Sequence, residues 1–251
     1  MALASMSEIF ERMARNGQEF WEVVLADDMD ERQVSREASM AKMLTTWQAM
    51  QDAADSYTGR KRSVSGLVGG DGMKMRQYTF RGCAMTGGYV SEVIAEALSM
   101  AESNACMRRI VAAPTAGACG VLPAVLLPLC KYEELTQHQL LEALYVAAGI
   151  GSIIAYKASI AGASGGCQAE IGTASAMAAG ALVALRGGEG EQIGHAVAMA
   201  LKNLMGLVCD PVAGLVEVPC VKRNVIGAVN AVSAADMALA GIESRIPVDE
   251  V

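Results

Sequence analysis

Aromatic side chains are scarce in this chain of 251 residues, at 4%, although hydrophobic residues reach 53%. Alanine, methionine and glycine fill the difference, and small side chains let helices approach one another closely. Alternating runs of β-branched and aromatic residues are nearly absent, which excludes a sheet-based fold. Positive charge is in the minority, with 20 Lys and Arg against 27 Asp and Glu and a net charge of −7. That balance attracts neither nucleic acid nor an anionic membrane over the whole surface. The one basic run, Arg60-Lys61-Arg62, reads as a solvated loop. The seven cysteines are odd in number and form no CxxC pair, and the stretch Met1 to Phe20 has acids but no apolar signal core. A reducing cytoplasm is the expected setting.

Two apolar stretches raise the question of a membrane span, which takes about 20 apolar residues. Pro114, Gly117, Gly120, Pro123 and Pro128 interrupt Ile110 to Cys130, and Lys157 sits inside Ala143 to Gly166. Both features argue for buried helices of a water-soluble core. Met40, Met43, Leu44, Trp47 and Met50 fall three or four apart, so an amphipathic helix is expected between Arg36 and Asp55. Another is expected before it, through Ile9, Phe10, Met13 and Phe20. Glycines crowd Tyr57 to Gly88, which reads as a long irregular loop, either functional or a plain linker. Beyond it, Thr136 and Gln139 make a capping box ahead of an apolar helix. Further helices are expected over 169–186, 189–205 and 221–240, the last with Gly241 as its C-cap. The fold class is all-α, with an N-terminal helical segment over 1–58 and a main body over 59–251, packed as one unit.

Two glycine-rich loops run straight into helices: APTAGACGVLPAVL, which holds Thr115, Ala116, Gly117, Ala118, Cys119 and Gly120, and GASGGCQAEIG around Cys167. Such loops expose backbone N–H groups and bind anions. Without a Walker lysine, a small carboxylate suits the first loop better than a nucleotide phosphate. Close helix packing alone is the other reading. Cys167, Cys209 and Cys220 lie far apart in sequence, each where the chain turns, and prolines flank the last two. Three alternatives stay open for them. They could be inert buried residues, zinc ligands, or thiolates of an iron-sulfur cluster, which tolerates long separations and with three ligands leaves one iron open. Lys157, alone in an apolar stretch, and His195, on a helix, are candidate titrating groups beside the structural readings of both. Asp71 and Lys74 have similar standing, and no lysine is placed convincingly for a pyridoxal phosphate Schiff base.

The strings SGLVGGDG, APTAGACGVLPAVLLP, AGASGGCQAEIGTASAMAAGAL and GLVCDPVAGLVEVPCVKRN resemble the alpha subunit of the iron-sulfur-dependent L-serine dehydratases over roughly residues 60 to 247. The resemblance implies a helical catalytic domain whose oxygen-sensitive 4Fe-4S cluster is held by Cys167, Cys209 and Cys220. It implies that Thr115 to Gly120 help to bind L-serine, which is converted to pyruvate and ammonia. Lys157 and His195 are this chain's candidates for the base, unless a partner supplies it. It also implies a beta subunit with a Ser-Ser-His-Thr type motif, an oligomeric assembly, and members that continue past IPVDEV into a further helix and a glycine-rich tail. A catalytically incomplete helical subunit, dependent on that beta subunit and tail, is the alternative.

Overall fold

The computed structural model describes residues 3–251. Among them are ten α-helices, two short 3-10 turns and no strand. Helices α1 (Met6–Asn16), α2 (Phe20–Arg32) and α3 (Arg36–Asp55) come first. The chain breaks at Gly17, which takes the left-handed conformation (φ 64°), so the helix expected through Phe20 is two helices. The apolar stripe of α3 faces inward as its spacing demands, with Trp47 and Met50 buried and Met40, Met43 and Leu44 packed beside them.

The stretch expected to be an irregular loop contains a helix, α4 (Asp71–Phe80). Its glycines conceal it, because the start of α4 is capped from elsewhere in the fold. The carboxylate of Glu102, 1% exposed, accepts hydrogen bonds from the N–H groups of Gly70, Asp71 and Gly72 and from the Tyr57 hydroxyl. Three N–H groups that would otherwise lack partners are thereby satisfied by one buried charge.

The main body comprises α5 (Gly87–Ala105), α6 (Val121–Tyr132), α7 (Gln137–Lys157), α8 (Gly162–Leu185), α9 (Gly190–Leu204) and α10 (Cys220–Leu239). The capping box of Thr136 and Gln139 opens α7. Helix α8 is central, packing on α7, α9, α10 and α6. Its buried face is largely alanine, from Ala174 to Ala181, so neighbouring backbones come close. A Cβ added to Gly180 would collide with the Ile150 side chain of α7, and one at Gly151 would sit 2.9 Å from Met177 Sδ. Aliphatic side chains such as Leu126, Ile150 and Ile171 are fully enclosed, each contributing about 2 kcal/mol by burial. Helix α7 is long and apolar enough to cross a membrane, but 61% of that window is buried inside the fold. One core, from Leu3 in the N-terminal segment to Ala238, joins both halves of the chain.

Candidate active site at the meeting of three cysteine segments

Helix α8 begins with a bend. Gly166 has φ 78° and ψ 176°, a backbone region essentially restricted to glycine, and it redirects the chain so that Cys167 opens the long straight part of the helix. The segment after α9 lies directly on this bend. Gln168 N–H donates to Leu207 O at 2.9 Å, and Gly206 N–H donates to the Gln168 side chain at 2.7 Å. A Cβ at Gly166 would stand 3.0 Å from Leu207 O and 3.7 Å from Cys209 N. The missing side chain is what allows the Cys209 segment to approach Cys167.

Two consecutive residues of α10 bring in the rest. Arg223 donates from Nη1 to Cys167 Sγ and to Val208 O, both at 2.9 Å, and pairs with Asp210 at 2.7 Å. Asn224, fully buried, donates to Gly117 O at 2.8 Å and to Cys220 O at 3.1 Å, while its carbonyl oxygen accepts from Gly120 N–H at 2.9 Å. Arg223 therefore ties the Cys167 and Cys209 segments to α10, and Asn224 ties the start of α10, with Cys220, to the Thr115–Gly120 turn. Cys167 is buried, Cys220 half-buried and Cys209 exposed, so the group opens to solvent on one side.

The Thr115–Gly120 turn is a 3-10 turn over Ala116–Ala118. Within it Ala118 N–H donates to Thr115 O and Cys119 N–H to Ala116 O. The Thr115 hydroxyl donates to the carboxylate of Glu170, which lies one turn beyond Cys167 on α8. Gly117 and Gly162 both face that carboxylate, and a Cβ at either would come within 2.9 Å of its oxygens. Burial pushes the Cys167 thiol up, and the Arg223 hydrogen bond opposes the shift without cancelling it. Burial also raises Cys220, helped by the charges of Cys167, Glu170 and Cys209. The three thiols and Glu170 thus share one electrostatic neighbourhood.

The family model described as serine dehydratase alpha chain matches residues 15–251. The chain belongs to this family. It is 46% identical over 230 residues to a probable L-serine dehydratase alpha chain of Bacillus subtilis, covering 92% of this chain and 77% of that one. With the L-serine dehydratase alpha chain of Peptoniphilus asaccharolyticus it shares 38% identity over 250 residues, 99% of this chain and 86% of the relative. L-serine dehydratase 2 of Escherichia coli is 48% identical over 157 residues, which cover 62% of this chain but only 34% of that longer protein.

In this alpha chain the other sequence candidates fall at different distances from the cysteine group. Lys157, at the end of α7, pairs with Asp249 at 3.2 Å and lines a groove of about 840 Å³ that also includes Gly165, Gln168 and Ala169. His195 accepts at Nδ1 from Ser244 N–H at 3.3 Å, on the side of α9 toward the C-terminal segment. Among the described residues, no hydrogen bond or ion pair joins Lys157 or His195 to the three cysteines. Asp71 bridges Lys74 at 2.8 Å and Lys222 at 3.2 Å on the surface, and Lys74 holds its carboxyl below the usual range. Cys119 lies inside the turn with its thiol toward Met100 O. Glu170, Arg223 and Asn224 had no sequence signal beyond their places within four residues of Cys167 and Cys220.

Proposed function

We propose that this alpha chain is the cluster-bearing catalytic subunit of an L-serine dehydratase. With a beta subunit it eliminates water from L-serine; the resulting aminoacrylate tautomerises to an imine, which water hydrolyses to pyruvate and ammonia. One observation carries the reading: the segments that bear Cys167, Cys209 and Cys220, distant in sequence, are held side by side by Arg223 and Asn224. Among the described residues no three His, Cys, Asp or Glu side chains stand close enough to chelate a single metal ion. Three cysteines with long sequence separations and no short-spaced ligand pair suit an iron-sulfur cluster better than mononuclear zinc. Bound through these three thiolates, a 4Fe-4S cluster supplies a Lewis acid for the serine hydroxyl.

The chain's own residues bind and orient the substrate. Among the described residues, the N–H groups of Ala116 and Gly117 have no acceptor, so they are available to the serine carboxylate. Arg223 holds Cys167 and the Cys209 segment in register. Lys157 and His195 are the chain's own proposed bases for the α-proton, with a beta-subunit residue as the alternative.

Anaerobic reconstitution with iron and sulfide, with and without a beta subunit, followed by a pyruvate assay on L-serine, tests the reading. Cys167→Ala, Cys209→Ala and Cys220→Ala should each lose iron and sulfide. Full iron and sulfide content in all three variants would show the ligand assignment to be wrong. Activity that appears only with the beta subunit would identify the catalytically incomplete subunit.

A further inference from the structure

Glu170 is a carboxylate without a counter-charge. It emerges on the face of α8 that carries Cys167, and among the described residues only the Thr115 hydroxyl bonds to it. Among the described residues no lysine, arginine or histidine lies within ion-pairing distance of it. Arg223, which donates to Cys167, is turned to Asp210. Two glycines let the backbone approach the carboxylate closely. A Cβ at Gly117 would stand 2.6 Å and 2.8 Å from its two oxygens, and one at Gly162 would stand 2.9 Å from Oε2. Both approaches are closer than real Cβ atoms tolerate, so a side chain at either position would push the Glu170 carboxylate aside.

We infer that Glu170 is the residue that recognises the α-ammonium group of the substrate. A half-buried carboxylate with no cationic partner is open to a cationic ligand group, with which it makes a charge-assisted hydrogen bond. An amino-acid zwitterion fits the surroundings by charge. Its carboxylate meets the N–H groups of Ala116 and Gly117, and its ammonium meets the carboxylate that lies against Gly117. The side chain of the same substrate is left to face the cysteines. Selection against 2-hydroxy acids follows, because a hydroxyl in place of the ammonium leaves the Glu170 charge unpaired. Glu170 is then a substrate-binding and specificity residue, with Thr115 as its positioning partner.

The inference rests on the serine dehydratase reading, and equilibrium binding separates the two. The complex with the beta subunit, prepared without iron so that L-serine is not consumed, is titrated anaerobically with L-serine and with L-glycerate, which bears a hydroxyl in place of the ammonium at Cα. The wild type should bind L-serine and reject L-glycerate. Glu170→Gln, nearly isosteric, should bind L-serine about 10- to 100-fold more weakly while L-glycerate binding holds or improves, so that discrimination collapses. Glu170→Asp keeps the charge and should keep the preference for L-serine. Unchanged discrimination in Glu170→Gln, or equal behaviour of the Gln and Asp variants, would overturn the inference. A wild-type holoenzyme that neither binds nor dehydrates L-serine would overturn the functional reading itself, and this inference with it.

Discussion

Arg223 Nη1 lies 2.9 Å from Cys167 Sγ and 2.9 Å from Val208 O, so one guanidinium spans two of the three cysteine segments. It opposes the effect of burial on the thiol and fixes the chain that leads to Cys209. Replacement by methionine keeps much of the stem but removes every donor. In protein prepared without iron, Arg223→Met should therefore raise the midpoint of the pH profile for alkylation of Cys167, because burial then acts without opposition. The midpoint is the measure, since loosening of the loop also alters the rate. Amide exchange at Val208 and Cys209 should quicken in the same variant.

The Glu102 carboxylate holds the start of α4 and the Tyr57 hydroxyl together. Glu102→Gln would point an amide into a site built from donors and leave buried N–H groups unpaired. A loss of about 3 kcal/mol is expected in chemical denaturation, with faster amide exchange at Gly70 to Met73. Glu92→Gln, at the exposed bridge to Lys131, should cost no more than about 0.5 kcal/mol.

Cys119 gives the fold a dependence on alkaline pH. It is fully buried, and burial pushes its thiol up to about 12. A thiol raised in the folded state contributes stability below its unfolded value, near 8.5, and that contribution disappears as pH rises through the folded value. A shift of this size corresponds to about 5 kcal/mol, lost between roughly pH 8.5 and pH 12. Guanidine titrations at pH 7, 9 and 11 should show a smaller decline for Cys119→Ala than for the wild type. Tyr57 and Tyr89, both raised chiefly by burial, leave a residual slope of the same sign.

Gly117 and Gly120 should respond differently to alanine. At Gly120 the new Cβ would stand 2.8 Å from the Ala97 backbone oxygen and 2.9 Å from Asn224 Oδ1, neither of which can swing away. Gly120→Ala should lower stability by about 1–3 kcal/mol in thermal or chemical denaturation. At Gly117 the obstacle is the end of the Glu170 side chain, which can move. Gly117→Ala should keep its melting temperature within a few degrees and instead raise KM for L-serine.

Much of the fold is legible in the sequence because its signals are local. The stripe of α3 repeats every three or four residues, and Thr136 and Gln139 announce the start of α7 within four positions. Helix α4 is concealed because its cap comes from Glu102, about thirty residues further along the chain, while its own neighbours are glycines. The candidate site divides in the same way. Glycine and proline mark the turns that hold Thr115 to Gly120, Cys167, Cys209 and Cys220, and the long motifs around them identify the family. Lys157 attracts notice by its charge in an apolar stretch, yet its contact is with Asp249.

The sequence by itself determined an all-helical chain of the serine dehydratase alpha family and named its three unusual cysteines, since composition, helix periodicity and motifs are properties of neighbouring residues. Only the tertiary structure decided what stands beside those cysteines. Arg223 and Asn224 reach three separate segments from one helix, and Glu170 meets Thr115 across 55 positions. Such contacts follow from the close packing of alanine- and glycine-rich helices, where a missing Cβ, as at Gly166 or Gly117, allows two distant segments to touch.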